Sequence, residues 1–385
     1  IKNNEITKIY TFIQAAAISF NNADNFLIEN NYIHDTRGNG RGITVAGLSS
    51  GAATNIMVRN NRLERVSRTG IYYQYVIDSS LLNNYVYDSM GVHSNGISVY
   101  GASAAMRSEN IVVANNTVIK ANINMTFQNV SNLKIYNNIL DALSNSANES
   151  NYVLASWGGM SGNIYVLNNI IMGSPAHAAF QWPASSDLPG TTYVVKNNII
   201  DGGMVYNSTF STVAGLERGY NLFTGRAWYQ NSSDLALGEK LQTDLSKVFA
   251  NYSGGDLRSA SVGQAVDAGA GLSSFGFTND ILGTTRPQGT AWDIGAYEYY
   301  SGQPVTPPAS IPTNGSCSAT LNACIAGTFS DTADTSTNYL WSCLGSNGGT
   351  TASCSLPITP SPSGPSVDLT PPIVSITSPL NNSTI

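Results

Sequence analysis

The chain has 385 residues and a formal net charge of −6, and only 11% of its residues are charged, less than half the usual ~25%. A hydrophobic content of 42% at this low net charge excludes a disordered chain, and the mild acidity argues against general nucleic-acid binding. No apolar run approaches the ~18 residues needed to span a bilayer.

Residues 1–22 read as a worn or cut terminal coil. They already carry a partial repeat, KNNEITKI at Lys2, so the start of the chain is expected to be a truncation that says nothing about secretion. From Asp24 to Ile200 one phrase returns: an apolar alternating run, two asparagines, then more apolar residues. It reads FLIENNYI from Phe26, IMVRNNRL from Ile56, SLLNNYVY from Ser80 and IVVANNTV from Ile111. It continues as LKIYNNIL from Leu133, IYVLNNII from Ile164 and YVVKNNII from Tyr193. The pairs begin at 3, 30, 60, 83, 115, 137, 168 and 197, in steps of 22 to 32 residues. Recurrence at that period marks a solenoid.

Each repeat offers an alternating strand, a bend at the Asn pair, a second short strand, a variable loop and often a Gly-Ile that opens a third strand. The Gly-Ile strands are GITV at Gly42, GIYY at Gly70 and GISV at Gly96. Three short strands cannot bury their apolar faces alone, whereas coils stacked ~4.8 Å apart bury them together. Asparagine tolerates left-handed backbone angles at tight bends, and stacked amides hydrogen-bond from coil to coil. The pairs are therefore structural. The xNhxhxNNxh repeat with Gly-Ile strands resembles the right-handed parallel β-helix proteins, a group dominated by polysaccharide lyases, glycoside hydrolases and surface proteins. The resemblance implies an all-β solenoid over residues 1–217.

Beyond the repeats, GYNLF at Gly219, QAVDAGAG at Gln264 and TTRPQGTAWDIGAYEY at Thr284 resemble a terminal segment of bacterial secreted β-helix proteins. That segment implies a cap over residues 218–300, closing the solenoid ahead of surface-anchoring regions. Asp267, Arg286, Asp293 and Glu298 are expected to form ion pairs there, a calcium site from the three carboxylates being the alternative. Residues 301–313 form a proline-rich linker. Cys317, Cys324, Cys343 and Cys354 lie in a module over 314–357, and their spacing lacks the paired CxxC of a zinc site. Two disulfides and an oxidising compartment follow. A second linker (358–370) leads to residues 371–385, which resemble the start of a bacterial immunoglobulin-like repeat. A monomer within a longer secreted or cell-surface bacterial chain is the expectation.

Counting from the Asn pairs predicts columns of side chains. The fifth residue after the first Asn gives Asp35, Arg65, Asp88 and Lys120, a charge ladder of alternating sign. Loop and third-strand positions give Arg37, Arg41, Arg68, His93 and Asn95, followed by outward Thr44, Tyr72, Gln74, Ser98, Tyr100, Asn124 and Thr126. Six of the eleven arginines lie between Arg37 and Arg68, a basic patch edged with tyrosines in an acidic chain. Guanidinium forks match carboxylates and sulfates, and aromatic faces match sugar rings.

An acidic polysaccharide is the expected partner. Catalytic candidates are His93, Arg41, Arg68 and Tyr72. In a lyase an arginine or a bound cation would stabilise the uronate enolate, and a histidine, tyrosine, lysine or arginine would take the C5 proton, His93 being the best single candidate. Arg37, Gln74, Asn95, Tyr100, Asp35 and Asp88 are candidate substrate-binding residues. His34 follows its Asn pair as His93 does and could share its side; His177 is the third histidine. Trp157 and Trp182 read more readily as core than as sugar platforms.

Against catalysis, the Asn-Thr-Asp, Asp-Asp, Gly-His-Gly and Arg-Ile-Lys signatures of polygalacturonase-like hydrolases are absent. Asp35 and Asp88 lie two coils apart, roughly 10 Å, beyond the ~6.5–9.5 Å of an inverting pair. GVHSNGISVYG is similar to a His-x-Asp-Gly-Ile phrase of some β-helix enzymes, but Asn95 stands where that phrase has Asp. No cofactor is called for with certainty, and calcium is the one candidate. A noncatalytic surface or adhesion protein, with the solenoid as spacer and glycan-binding face, is the alternative to a lyase or hydrolase.

Overall fold

The computed structural model describes residues 1–11, 15–89, 91, 93–142, 152–173, 178–181, 186–201, 204–205, 215–224, 235–302, 315–345 and 351–358. Two compact units divide at Gln303 and Pro304. His177, Trp182, most of both linkers and the immunoglobulin-like ending fall outside the described residues.

The first unit is a right-handed parallel β-helix. Its first sheet (eight strands, from Asp24–Glu29 to Leu216–Gly219) holds the alternating run before each asparagine pair. The second sheet (ten strands, from Glu5–Thr7 to Lys240–Leu241) holds the short strand after it. The third sheet has eight strands, from Ala16–Asn21 to Met204–Val205, and includes the Gly-Ile strands. Pairing within all three is parallel, and like stacks on like: Ile28, Val58, Leu81, Val113, Ile135 and Val166 match in register down the first sheet. All six are buried, and each such side chain removed from water contributes about 1.5–3 kcal/mol.

The two asparagines of a pair do different work. The first adopts a left-handed φ between 52° and 57° at Asn30, Asn60, Asn83, Asn115, Asn137, Asn168 and Asn197, turning the chain from the first sheet into the second. The second is buried and hands its amide to the next coil. Nδ2 of Asn31, Asn61, Asn84, Asn116, Asn138, Asn169 and Asn198 donates to the following ladder Oδ1 at 2.9–3.0 Å, ending on Asn221. Asn221 then donates to Glu239 Oε1 at 2.9 Å. The ladder therefore runs through the GYNLF stretch, past the expected end of the coils at residue 217.

Residues 244–302 fold back along the outside of the solenoid instead of lying only across its end. Val248, Phe249, Ile294 and Tyr297 pack on Ile139, Ile170, Met172 and Ile199 of the second sheet. Phe275, Phe277 and Trp292 cover Tyr136, Tyr165 and Val194 of the first. Hydrogen bonds fasten it at the corners: Asn137 Nδ2 to the Asn279 carbonyl (2.7 Å), Asn168 Nδ2 to that of Asp293 (2.9 Å) and Asn197 Nδ2 to that of Ala270 (2.8 Å).

Inside this wrap, Arg286 is fully buried and donates to Glu298 (3.0 Å) and to the Gly295 carbonyl (2.9 Å). Burial, then the nearby Glu298, push the Asp293 carboxyl up to about 7, although its oxygens accept the Asp267 and Tyr299 amides. Asp267 and Glu298 likewise accept backbone N–H groups of Ala291 and Gln288. These carboxylates are thus occupied by Arg286 and main-chain donors. Among the described residues they do not converge as a three-carboxylate metal cluster.

In the second unit Cys317 bonds Cys354 and Cys324 bonds Cys343. The bridges flank a three-stranded antiparallel sheet (Thr328–Thr332, Asn338–Leu344, Ala352–Pro357) built over the buried Trp341. Two disulfides stand in for the core that so short a module cannot build.

Candidate functional site

The Gly-Ile step opens the third sheet because no side chain fits there. A Cβ on Gly42 would lie 2.5 Å from the Gly70 carbonyl oxygen, and one on Gly70 2.6 Å from that of Gly96. Past the glycine, Ile43, Ile71, Ile97 and Met125 stack in register into the core. The residue after each, Thr44, Tyr72, Ser98 and Thr126, forms the neighbouring column. Two residues before each core position stand Arg41, Thr69, Asn95 and Ile123. Asn124 departs from its expected outward place. It is buried, donating to the carbonyls of Val118 and Asp141, because it takes the inward position that glycine holds in the coils before it.

These columns line an open cleft of about 610 Å³ on the solenoid flank. Arg41, Arg68, Tyr72, His93, Asn95 and Tyr100 come together there, as do Thr69, Ser98, Asn122, Ile123 and Trp157. The Arg41 guanidinium stacks 4.0 Å over the Tyr72 ring, and Tyr72 meets Tyr100 edge-on at 5.7 Å. Asn95 donates to Ser98 Oγ (3.1 Å) and Thr126 Oγ1 (3.2 Å), while the Tyr100 hydroxyl lies 2.9 Å from the same threonine. Among the described residues, no aspartate or glutamate lines the cleft.

Burial pulls the Arg41 guanidinium below its ordinary value, against the field of Tyr72, and Arg68 adds to that shift. Burial pushes the Tyr72 phenol up, which favours its neutral form. Two buried polar atoms at the cleft lack hydrogen-bond partners among the described residues: Arg68 Nε, a donor, and Asn122 Oδ1, an acceptor. His93 is exposed at the rim in a left-handed conformation (φ 57°).

Arg37, Gln74, Asp35 and Asp88 do not line the cleft. Arg37 is exposed on a strand paired with Tyr10–Thr11. Gln74 sits in register between Ala46 and Tyr100. Asp35 is held by Arg65 Nε and Nη2 (2.6 and 2.9 Å) and by His34 (2.6 Å), and Asp88 pairs with Lys120 (3.0 Å). They form the charge ladder at the corner after the second sheet, so His34 does not share a side with His93.

Arg65, above all, holds Asp35 down to about 2 from an ordinary 3.8. A carboxylate with a lowered pKa stabilises the fold above its ordinary value, and that contribution is lost as pH falls through the lowered one. An NMR titration should therefore place Asp35 at about 2, and Arg65→Ala should return it toward 3.8. An unchanged value in that variant would show that Arg65 is not the cause.

Trp157 is corrected from core to rim: it is 40% exposed and lines the cleft. Its backbone N–H bonds to the Phe127 carbonyl, so counting register from INMTFQ to YVLAS is the signal that finds it. Thr69, Asn122 and Ile123 were also missed, and they lie in the same columns or beside them.

No protein-family model and no curated protein matches this chain. Among solved structures, it is similar to XylC in complex with xylose, with a TM-score of 0.46 and 12% identity over 74% of this chain and 61% of that one. It is also similar to the A-module of the mannuronan C-5 epimerase AlgE4 from Azotobacter vinelandii, with a TM-score of 0.24 and 13% identity over 62% of this chain and 76% of that one. The chain thus spans 61% of the length of the XylC structure.

Proposed function

We propose that the cleft binds an acidic polysaccharide outside the cell and cleaves it by β-elimination beside a uronate. The observation that carries this reading is the pair Arg41 and Arg68 in a cleft with no carboxylate among its described lining residues, next to the exposed Trp157 and the Tyr72–Tyr100 pair. Guanidinium groups held out of water attract carboxylates strongly, and the aromatic faces suit sugar rings. Among the described lining residues there is no carboxylate pair for hydrolysis and no anionic oxygen for a calcium ion. The disulfides of the second unit support an oxidising, extracellular setting.

In this reading Arg41 and Arg68 meet the uronate carboxylate and stabilise the enolate that forms when His93 removes the C5 proton. The electron pair closes the C4–C5 double bond, the C4–O bond breaks, and the departing oxygen takes the proton of the neutral Tyr72 hydroxyl.

One observation favours a second reading, a noncatalytic glycan-binding face: no described residue hydrogen-bonds the His93 ring to orient it as a base. Incubation with alginate, pectate and chondroitin, followed by ultraviolet absorbance of the unsaturated product, separates the two. Elimination is expected from the wild type, with kcat about 10²-fold lower in His93→Ala. Binding without product would leave the second reading, and absence of binding to any acidic glycan would defeat both.

A further inference from the structure

The cleft is not uniform along its length. Its lining comes from five successive coils, entering at Arg41 on the strand Arg41–Ala46 and leaving at Trp157, just past the strand Tyr152–Ser156. Four strand spacings separate these coils, about 19 Å at ~4.8 Å each. Because Arg41 opens its strand while Trp157 follows the end of its own, a short oligosaccharide reaching both lies obliquely across the sheet. Both arginines sit in the first two coils. Past His93, the described lining residues are Asn95, Ser98, Tyr100, Asn122, Ile123 and Trp157, none of which carries a charge.

Each end has its own unmet chemistry. At the arginine end, the buried Arg68 Nε donor has no acceptor among the described residues, which suits an anionic oxygen. At the other end, Asn122 is 6% exposed and its Oδ1 has no donor among the described residues, which suits a hydroxyl. Trp157, 40% exposed, presents an apolar ring in the next coil, level with Gln128 and Tyr100 in the register. A carboxylate at that end would lose its water and meet no cation among the described lining residues, whereas a neutral ring would gain a platform and a hydrogen bond.

We infer that the ligand is a mixed acidic glycan, with one uronate at the Arg41–Arg68 end and neutral sugars running toward Trp157, rather than a homopolymer of uronates. This rests on the acidic-glycan reading of the cleft. It also sets the direction of the chain along the solenoid, from charge at the earlier coils to neutral rings at the later ones.

Isothermal titration with three size-matched probes tests it: trigalacturonate, a trisaccharide carrying one glucuronate on two neutral sugars, and the neutral trisaccharide. The mixed probe is expected to bind at least tenfold more tightly than either of the others. Trp157→Ala should erase its advantage over trigalacturonate, while Arg68→Ala should weaken both acidic probes. Because Trp157 lies at the exposed rim, its truncation leaves the core of the coil in place. Equal or tighter binding of trigalacturonate overturns the inference and leaves the acidic-glycan reading standing. Tightest binding of the neutral trisaccharide, or no binding of either acidic probe, overturns both.

Discussion

Asn84→Ala is expected to destabilise the solenoid by about 2–5 kcal/mol, whereas Asn83→Gly, one residue earlier, should change stability by less than about 1 kcal/mol. Asn84 is buried, and its Nδ2 donates to the Val58 carbonyl (2.9 Å) and Asn116 Oδ1 (3.0 Å). Its Oδ1 accepts both the backbone N–H (3.1 Å) and the side-chain amide (3.0 Å) of Asn61. Truncation strands the Asn61 N–H and the Val58 carbonyl away from water, and a stranded buried group costs about 1–3 kcal/mol. Asn83 is exposed and is there for its left-handed φ of 54°, which glycine adopts freely. Chemical denaturation of the two variants reads the difference. Equal losses would show that the pair acts through backbone conformation alone and would sink the ladder account.

Arg286→Ala is expected to release the wrap from the solenoid at a cost of about 3–5 kcal/mol, the usual loss when one partner of a buried ion pair is removed. Arg286 is fully buried, and its guanidinium bonds Glu298, two or more carbonyls of the 293–297 turn and, at 3.4 Å, Asn137 of the solenoid. Without it, Glu298 and Asp293 are left facing each other in a site where burial already pushes both carboxyls up. Hydrogen exchange should quicken at Gly269, Ala270 and Gly295, whose amides close the seam on Trp292 and Asn197. Arg286→Lys should recover only part of the loss, because a single ammonium cannot reach that fork of acceptors. Unchanged exchange at those three amides would mean that apolar packing alone docks the segment.

The cleft was legible in the sequence to the extent that it obeys the coil period. Arg41, Arg68, Tyr72, His93, Asn95 and Tyr100 belong to coils marked by a Gly-Ile strand, so counting from the Asn pairs brings them to one side. Trp157 and Asn122 belong to coils whose third strands, INMTFQ and YVLAS, lack that mark, and the count loses them. Asp35 and Asp88 obey the same ruler but stand at a different corner, where left-handed φ values of 56° and 59° aim them along the ladder to Arg65 and Lys120.

By itself, the sequence determined the parallel β-helix, the structural duty of the asparagine pairs and the presence of two disulfides. Each of these depends on a local pattern repeated at short range: alternation for strands, left-handed tolerance for bends, four cysteines in one small module. Only the tertiary structure decided where residues 244–299 lie. Their contacts join residues about 140 positions apart, as Lys134 to the Phe275 carbonyl and Asn137 to that of Asn279, and such pairs leave no period to read. The inferred division of the cleft into a cationic end and a neutral end rests on the same kind of contact. Charge sits at residues set by coil stacking, while the burial that leaves Arg68 Nε and Asn122 Oδ1 without partners arises only once the neighbouring coils are in place.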